Sequence, residues 1–306
     1  MSLRFGVLTF QALPFPRLLD DVRFVEALGL DAVWLGDQTY PETEPILEAW
    51  TSLAALACGT ERIRIGSSVT NVAMRNPMIL ARQVLTVDQI SNGRLDVGLG
   101  AGWYDVEHTS IGVDFPDGKG RLGRLTEVAE ILDQALRSGR VTYSGELYRI
   151  ADAIANPPPT QQPRPPLWIA ANARGSMTLA ARLAEGTATY SHAGLTLAET
   201  VPVFTDSMRR LDELCLEGGR DPLSLRRSYL TGIADEVIHT SRDAMTDFIG
   251  RFSEAGATDL IFTFFYPSLA DRDAGVRAGR FCDRRSLEIL AADVIPQFRA
   301  DARPAA

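Results

Sequence analysis

A recurring turn from helix to strand constrains the fold of this chain more than any other feature of its sequence. Five times, a helical segment reaches a glycine and a β-rich run follows within about two to four residues. Glycine readily adopts the left-handed conformation that ends a helix and turns the chain. The repeat therefore predicts alternating helices and strands, and with them a parallel sheet. The five segments are ALGLDAVWLGD with Gly29, ACGTERIRIGSSV with Gly59, SNGRLDVGLG with Gly93, AEGTATYS with Gly186 and EAGATDLIFTFF with Gly256.

The number of β-rich runs predicts how this sheet closes. Apolar residues at helical spacing fill the gaps between the runs, for example Leu125, Val128, Leu132 and Leu136. Eight β/α units in 306 residues predict one (β/α)8 TIM barrel over residues 1–306, and a doubly wound open sheet is the alternative. The eight predicted strands are Leu3–Phe10, Ala32–Gly36, Ile63–Val69, Leu95–Gly100, Pro166–Ala171, Thr187–Ser191, Arg227–Ile233 and Leu260–Tyr266.

Two stretches exceed a minimal barrel and are interpreted as insertions within the one domain. The first, approximately residues 102–120, follows strand four and is polar and rich in glycine. The second, approximately residues 141–165, precedes strand five. It opens with VTYSGELYRI, which predicts a hairpin around Ser144-Gly145.

Composition narrows the class of protein. The net charge is −8, which does not favour binding to a nucleic-acid backbone. We find no apolar run long enough for a membrane span and no secretion signal at the start of the sequence. Three scattered cysteines favour neither a disulfide framework nor a zinc site. We therefore expect a cytoplasmic protein that binds neither nucleic acid nor membrane.

The alternate glycines Gly98, Gly100 and Gly102 in DVGLGAGW do not form a dinucleotide-binding fingerprint. The third glycine of G-x-G-x-x-G is missing, and no helix is predicted to begin there. A literal match at Gly118–Gly123 follows a loop rather than a strand. In a barrel, the end of strand four lies at the carboxyl-end mouth, where active sites are found. We therefore expect these glycines at the rim of an active site, where they either let a flat or phosphorylated group approach the backbone or simply fit a crowded rim.

Few side chains at the predicted strand ends can perform demanding chemistry unaided. The only lysine, Lys119, lies in a glycine-rich loop, which argues against Schiff-base chemistry. The three histidines are scattered, which argues against a metallohydrolase. Asp37 and Glu107 are the candidate carboxylates, but strand-end aromatics typical of a glycosidase are few. A bound organic cofactor is therefore the simplest hypothesis, and no metal is expected.

Three motifs in order resemble the bacterial luciferase-like monooxygenase superfamily, which uses FMN or the deazaflavin coenzyme F420. They are GLDAVWLGD, EAWTSLAALACGTERIRIGSSVT and RNPMILARQVLTVDQISNGRLDVGLGAGWYDVEH. The resemblance extends from Phe5 to about Tyr190 and includes GGRDPLSLRRS further on. It implies a TIM barrel with the cofactor at the carboxyl-end mouth.

The resemblance also implies roles for particular residues. Asp37 matches the position that binds the deazaflavin ring, and Ser68–Val69 matches a non-prolyl cis peptide bond behind that ring. Gln38 stands where many relatives have histidine and cannot titrate near neutral pH, so His192 and Glu107 are further catalytic candidates beside Gln38. Ala171-Asn172 replaces glycines common in relatives at the turn that binds the cofactor phosphate. The implied cofactor-binding residues are Asp37, Ser67, Ser68, Val69, Thr70, Asn71, Gly100, Ala101, Gly102, Ala171, Asn172, Arg174, Gly175 and Ser176.

The resemblance implies a flavin- or deazaflavin-dependent oxidoreductase, and it leaves several functions open. EAWTSLAALA, GAGWYDVEH, FPDGKGR and GRDP resemble the F420 branch somewhat more, which indicates a reductase or dehydrogenase. An FMNH2-dependent monooxygenase is the alternative. Two hypotheses belong to other classes of protein. One is a non-catalytic flavin-binding barrel, and the other is a cofactor-free isomerase or lyase that uses Asp37 and Glu107. Expected partners are a small organic substrate, a flavin or F420 reductase, and a second copy of the chain in a homodimer.

Overall fold

The barrel is closed and all its strands are parallel. The computed structural model describes residues 1–11, 13–39, 45–264 and 275–300. The order of hydrogen-bonded strands around the barrel is β1-β2-β3-β4-β7-β8-β9-β10, and β10 returns to β1. This arrangement confirms the predicted (β/α)8 barrel and excludes the open sheet. The barrel strands are β1 (Arg4–Thr9), β2 (Ala32–Leu35), β3 (Arg64–Asn71), β4 (Leu95–Gly100), β7 (Leu167–Ala170), β8 (Gly186–Ala188), β9 (Arg226–Leu230) and β10 (Asp259–Thr263).

Helices cover the outside of the barrel and two smaller elements fill the predicted insertions. The last predicted strand corresponds to β10, which ends at Thr263, and Phe265 and Tyr266 lie outside the described residues. The predicted hairpin is an antiparallel pair of β5 (Arg140–Ser144) and β6 (Arg149–Ile154). The helices are α1 (Phe15–Ala27), α2 (Ala49–Gly59), α3 (Pro77–Ile90), α4 (Asp105–Thr109), α5 (Gly118–Ser138), α6 (Arg174–Leu183), α7 (Leu197–Glu217), α8 (Arg242–Glu254), α9 (Arg284–Ile289) and α10 (Ile295–Ala300), with a π-helical turn at Leu290–Val294.

The five repeated glycines allow the passage from helix to strand in two different ways. Gly29, Gly93 and Gly256 have φ of +79°, +80° and +93°, so they adopt the predicted left-handed conformation. Gly59 and Gly186 do not, and the prediction is wrong for them. A Cβ on Gly59 would lie 2.4 Å from Leu19 Cδ1, and one on Gly186 would lie 2.3 Å from Trp168 Cε3. Gly186 is required because the Trp168 ring occupies the space of a Cβ, whereas a Cβ at position 59 would require the end of the Leu19 side chain to move.

The barrel interior pairs two tryptophans with strand glycines. Trp34 and Trp168 meet edge to face, with ring centroids 5.3 Å apart. A Cβ on Gly66 would lie 2.7 Å from the Trp34 ring, and Gly186 makes the corresponding space for Trp168. Large side chains therefore fill volume that the glycines of neighbouring strands leave free, as close packing requires.

Charged side chains lie at the amino ends of the strands, away from the mouth. Asp259 accepts hydrogen bonds from Arg4 and Arg226, each at 2.7 Å. Asp96 binds Arg64 in the same way at 2.6 Å. Because these arginines begin β1, β9 and β3, the ion pairs lie at the amino end of the barrel. The carboxyl end is left for the site.

Among the described residues, no helix is both long enough and apolar enough to cross a bilayer.

Candidate active site

A cavity of about 470 Å³ opens at the carboxyl ends of the barrel strands. Every barrel strand, or the loop after it, contributes to the lining, and most of the lining surface is apolar. This volume is typical of sites for small organic ligands, which occupy roughly 300–1,000 Å³. Eight of the residues predicted from sequence line it: Asp37, Gln38, Ser68, Val69, Asn71, Gly100, Gly102 and Glu107.

Strand β3 bulges into this cavity at the predicted position. The peptide bond between Ser68 and Val69 is cis, as the resemblance implied. The pairing of β3 with β4 shifts register between Ser67 and Thr70. The bulge brings Ser68 and Val69 to the cavity surface.

Ser67 and Thr70 hold the bulge from behind and do not line the cavity. The Ser67 hydroxyl donates to the Gly98 carbonyl at 3.0 Å and accepts from the Gly98 amide at 3.1 Å. The Thr70 hydroxyl donates to Ser67 Oγ at 2.8 Å and accepts from Trp50 Nε1 at 3.2 Å. Both residues are fully buried. Their side chains therefore fix the bulge, and a contact of either residue with a cofactor stays a prediction.

The alternate glycines of strand β4 are explained by the same bulge. A Cβ on Gly98 would lie 2.0 Å from the Ser67 carbonyl oxygen, and one on Gly100 would lie 2.3 Å from Val69 Cγ2. Gly102 has φ of +81°, and its Cβ would lie 2.5 Å from His108 Nε2. The expected contact of Gly100 and Gly102 with a cofactor tail stays a prediction, whereas these packing contacts already require glycine. Ala101 packs against the hydrophobic core and does not line the cavity.

Asp37 forms a buried ion pair at the cavity wall. Arg75 donates to both carboxylate oxygens, to Oδ2 through Nη1 and to Oδ1 through Nη2 at 2.8 Å. The backbone N–H of Asn71 also donates to Oδ2, at 3.0 Å. Arg75 Nη2 also donates a hydrogen bond to Glu48 Oε1 at 2.6 Å. Asp37 therefore joins the loop after β2 to the end of β3, and the positive charge of Arg75 compensates its negative charge.

His108 orients the side chain of Asn71, which lines the cavity. His108 Nδ1 lies 2.8 Å from the Tyr104 carbonyl oxygen, which can only accept, so Nδ1 carries the proton. Nε2 then accepts from Asn71 Nδ2 at 3.0 Å, while Asn71 Oδ1 accepts from the Ala73 amide at 3.2 Å. Both ends of the Asn71 amide are thus fixed. No sequence pattern predicted this role for His108, although its position directly after the candidate Glu107 is a usable signal.

Glu107 is buried at the cavity rather than exposed on a loop. It lies on the short helix α4, is 2% exposed and accepts a hydrogen bond from the Thr39 amide through Oε1. Burial is the main cause that raises the pKa of the Glu107 carboxyl above its usual value, and the charge of Asp37 acts in the same direction. A carboxyl with a raised pKa that faces a cavity is a candidate for proton transfer.

Gln38 presents an unpaired amide oxygen. Its side chain lines the cavity, and Oε1 is buried without a hydrogen-bond partner among the described residues. Burying an amide oxygen without a partner is unfavourable, so this atom is suited to accept from a bound N–H or O–H group.

The other predicted residues lie at the barrel mouth but outside the cavity. His192 is exposed and does not line it, so a catalytic role for His192 stays a prediction. Asn172 and Arg174 are exposed at the start of α6. Ala171 donates its amide to the Ala188 carbonyl, Gly175 packs against Leu122, and Ser176 bonds the Ala173 backbone. A phosphate site at residues 171–176 stays a prediction.

Several cavity residues were not predicted as site residues, although Trp103 lies within the motif GAGWYDVEH. Phe10, Trp103, Tyr190 and Ile233 line the cavity beside the predicted residues. Trp103 is 62% exposed and stacks on Tyr104, with ring centroids 5.4 Å apart. An exposed aromatic at a cavity entrance is available to contact a ligand.

The family follows from a comparison over most of the chain. The sequence model described as luciferase-like monooxygenase matches residues 3–258. The chain belongs to this family. The resemblance found in the sequence is thereby confirmed.

Curated relatives of this luciferase-like protein include F420-dependent enzymes. An F420-dependent glucose-6-phosphate dehydrogenase from Amycolatopsis mediterranei is 32% identical over 313 residues, which covers 90% of this chain and 92% of the relative. The enzyme of the same name from Kineococcus radiotolerans is 32% identical over 185 residues, or 59% of this chain. That alignment spans only 54% of the Kineococcus enzyme's length.

One relative uses a flavin, and solved structures share the fold. The oxygenase component of a flavin-dependent trigonelline monooxygenase from Acinetobacter baylyi is 28% identical over 51% of this chain and 43% of that protein. The F420-dependent tetrahydromethanopterin reductase of Methanopyrus kandleri superposes with a TM-score of 0.77, covers 97% of this luciferase-like chain and 100% of its own, and is 18% identical. The names of these relatives agree with the expected use of F420 or FMN.

Proposed function

We propose that this protein is an F420-dependent oxidoreductase that transfers hydride between the deazaflavin and a small organic substrate. The observation that carries the proposal is the buried Glu107 carboxyl, which faces the same cavity as the bulge at Ser68–Val69. A hydride transfer to a carbonyl group, or from an alcohol, requires a proton to move as well, and Glu107 is the titratable group placed to exchange it. The F420-dependent relatives support this choice of cofactor.

The residues present fit a flat heterocyclic cofactor. The unpaired Gln38 oxygen can accept from a ring N–H, and the fixed Asn71 amide and the Val69 side chain form an adjacent wall. Arg174 and the first amides of α6 stand at the same end of the barrel and are suited to an anionic tail. When bound, F420 supplies the site that gives or takes hydride.

The protein's own groups hold this arrangement in place. Arg75 fixes Asp37, which accepts a hydrogen bond from the backbone N–H of Asn71. His108 orients the side-chain amide of Asn71. The Thr39 amide binds Oε1 of Glu107 and so holds the carboxyl in position for proton exchange with a bound molecule. The apolar part of the lining reduces the contact of a bound substrate with water.

The expected partners complete the proposal. In the cell, a separate flavin or F420 reductase supplies the reduced cofactor, and the active protein is a cytoplasmic homodimer. Gel filtration coupled to light scattering tests the oligomeric state, with a mass of twice 33.4 kDa expected.

An FMNH2-dependent monooxygenase is the second candidate, and the flavin-dependent relative favours it. In that case the reduced cofactor activates oxygen, and the cavity would protect the oxygenated cofactor from water.

Titration of purified protein with F420 and with FMN, followed by cofactor fluorescence, decides between these functions. Saturable binding of F420 with weaker binding of FMN supports the dehydrogenase. The reverse preference, with oxygen consumption when FMNH2 is supplied, supports the monooxygenase. Binding of neither cofactor would reject both proposals and favour a barrel of another function.

Two glutamines provide a matched control for the cofactor position. Gln38 Oε1 and Gln83 Oε1 are both buried and unpaired among the described residues, but only Gln38 lines the cavity. Gln38→Leu should weaken cofactor binding by about five- to ten-fold, the loss of one hydrogen bond, whereas Gln83→Leu should not. Equal cofactor affinities of the two variants would contradict the proposed position of the ring.

A further inference from the structure

A row of hydroxyl groups lines the cavity on three adjacent strands. Thr189 directly follows β8, Ser228 lies in β9 and Thr263 ends β10. All three residues are at most 5% exposed. Because β8, β9 and β10 are neighbours in the barrel, the row forms one continuous part of the cavity wall.

Each of these hydroxyl groups already uses its only hydrogen. Thr189 donates to the Ser228 carbonyl, Ser228 donates to the Thr187 carbonyl at 2.7 Å, and Thr263 donates to the Thr231 carbonyl at 2.5 Å. A hydroxyl group has one hydrogen and two acceptor lone pairs. The row therefore offers hydrogen-bond acceptors to the cavity, and its preferred ligand group is a donor.

The row stands across the barrel from the bulge at Ser68–Val69. In the closed order of strands, three strands separate β3 from β9 in either direction. A cofactor ring seated against Val69 would therefore leave the β9 side of the cavity for the substrate.

Much of the rest of the wall is apolar, most of its polar side chains lie on the side of β2, β3 and β4, and it carries little net charge. Leu8, Trp103, Leu230 and Ile233 provide apolar surface. Of the two lining carboxylates, Asp37 is compensated by Arg75, and the pKa of Glu107 is raised by burial. The described residues of this wall include no lysine, arginine or histidine to bind a phosphate group.

We propose that the substrate of this protein is a neutral, largely apolar compound with a hydroxyl group that donates to the row formed by Thr189, Ser228 and Thr263. The inference rests on the proposed function and narrows it to a substrate class. It sets this chain apart from the relatives named for glucose 6-phosphate, a substrate with a doubly charged phosphate group.

Cyclohexanol, cyclohexanone and glucose 6-phosphate are suitable probes, with calorimetric titration as the readout. Cyclohexanol should bind at least about ten-fold more tightly than glucose 6-phosphate. The titrations are run on protein with and without F420, so they report on substrate class even where the cofactor does not bind. If F420 does not bind, the proposed function is rejected, but the preference for cyclohexanol over glucose 6-phosphate is still measured.

Two threonines of the same strand region provide the matched variants. Thr189 and Thr187 both donate to a carbonyl of β9, but only Thr189 lines the cavity. Thr189→Val should raise the dissociation constant of cyclohexanol about five-fold and leave that of cyclohexanone unchanged, because the ketone has no O–H to donate. Thr187→Val should change neither constant. If Thr189→Val does not fold, Thr263→Val provides the same comparison.

Three results would overturn the inference. They are tighter binding of glucose 6-phosphate than of cyclohexanol, no saturable binding of cyclohexanol, and equal weakening of alcohol and ketone by Thr189→Val.

Discussion

Replacing Gly98 with alanine tests whether the glycines of strand β4 exist to accommodate the bulge in β3. The new Cβ would lie 2.0 Å from the Ser67 carbonyl oxygen and 3.0 Å from Val69 Cγ1. Contacts this short with a backbone atom cannot be relieved by a change of rotamer, so β3 or β4 must move. Overpacking of this kind costs about 1–3 kcal/mol, and we expect Gly98→Ala to reduce the free energy of unfolding by that amount.

Gly250 is the matched control for this substitution. It lies inside helix α8 with nothing within 4 Å of its ideal Cβ. Alanine is favoured over glycine in a helix interior by about 0.5–1 kcal/mol, so Gly250→Ala should raise the free energy of unfolding. The same substitution should therefore lower the free energy of unfolding at position 98 and raise it at position 250.

Urea unfolding followed by circular dichroism measures both variants, and cofactor fluorescence gives a second readout. Since the bulge presents Ser68 and Val69 to the cavity, Gly98→Ala should also weaken cofactor binding, whereas Gly250→Ala should leave it unchanged. A Gly98→Ala variant as stable as wild type, with unchanged cofactor affinity, would refute the packing argument.

Three further predictions concern the cavity. The pKa of the Glu107 carboxyl is raised in the folded protein, so its contribution to stability is present at low pH and is lost as the pH rises through this raised pKa. Above the raised pKa, Glu107→Gln should therefore be more stable than wild type. Urea unfolding at several pH values measures this difference. The same variant should lose the pH dependence of turnover that Glu107 causes, and a retained profile would assign proton transfer elsewhere. Arg75→Met leaves Asp37 buried without its partner and should cost about 3–5 kcal/mol of unfolding free energy, whereas Arg209→Met, at an exposed ion pair, should cause no measurable change. Trp103→Ala should leave the unfolding midpoint unchanged, because the side chain is 62% exposed, but weaken ligand binding in calorimetric titrations; a large loss of stability would contradict this reading.

The alternation of strands and helices could be predicted from sequence because local features encode it. Apolar spacing identified the helix faces, and Leu125, Val128, Leu132 and Leu136 are indeed buried in α5. The cis bond at Ser68–Val69 was predicted from the resemblance alone, since nothing in the local residues indicates it.

The candidate site was predictable only in part. Eight predicted residues line the cavity, but their roles in binding and catalysis stay predictions. His192 and Asn71 were both predicted near the carboxyl end of a strand. The His192 side chain is exposed, whereas the Asn71 side chain is fixed in the cavity wall. Position at a strand end does not determine the direction of a side chain in a loop.

The sequence by itself determined the barrel, its mouth and the family, because helix periodicity, turns and motifs depend on residues close together in the chain. Tertiary structure alone decided that Arg75 compensates Asp37, that Glu107 is buried, and that Gly98 and Gly186 are required by packing. These properties arise from contacts between residues far apart in sequence, such as Thr39 with Glu107. Burial and partner charge set the chemistry of a side chain, and both are known only once the barrel has closed.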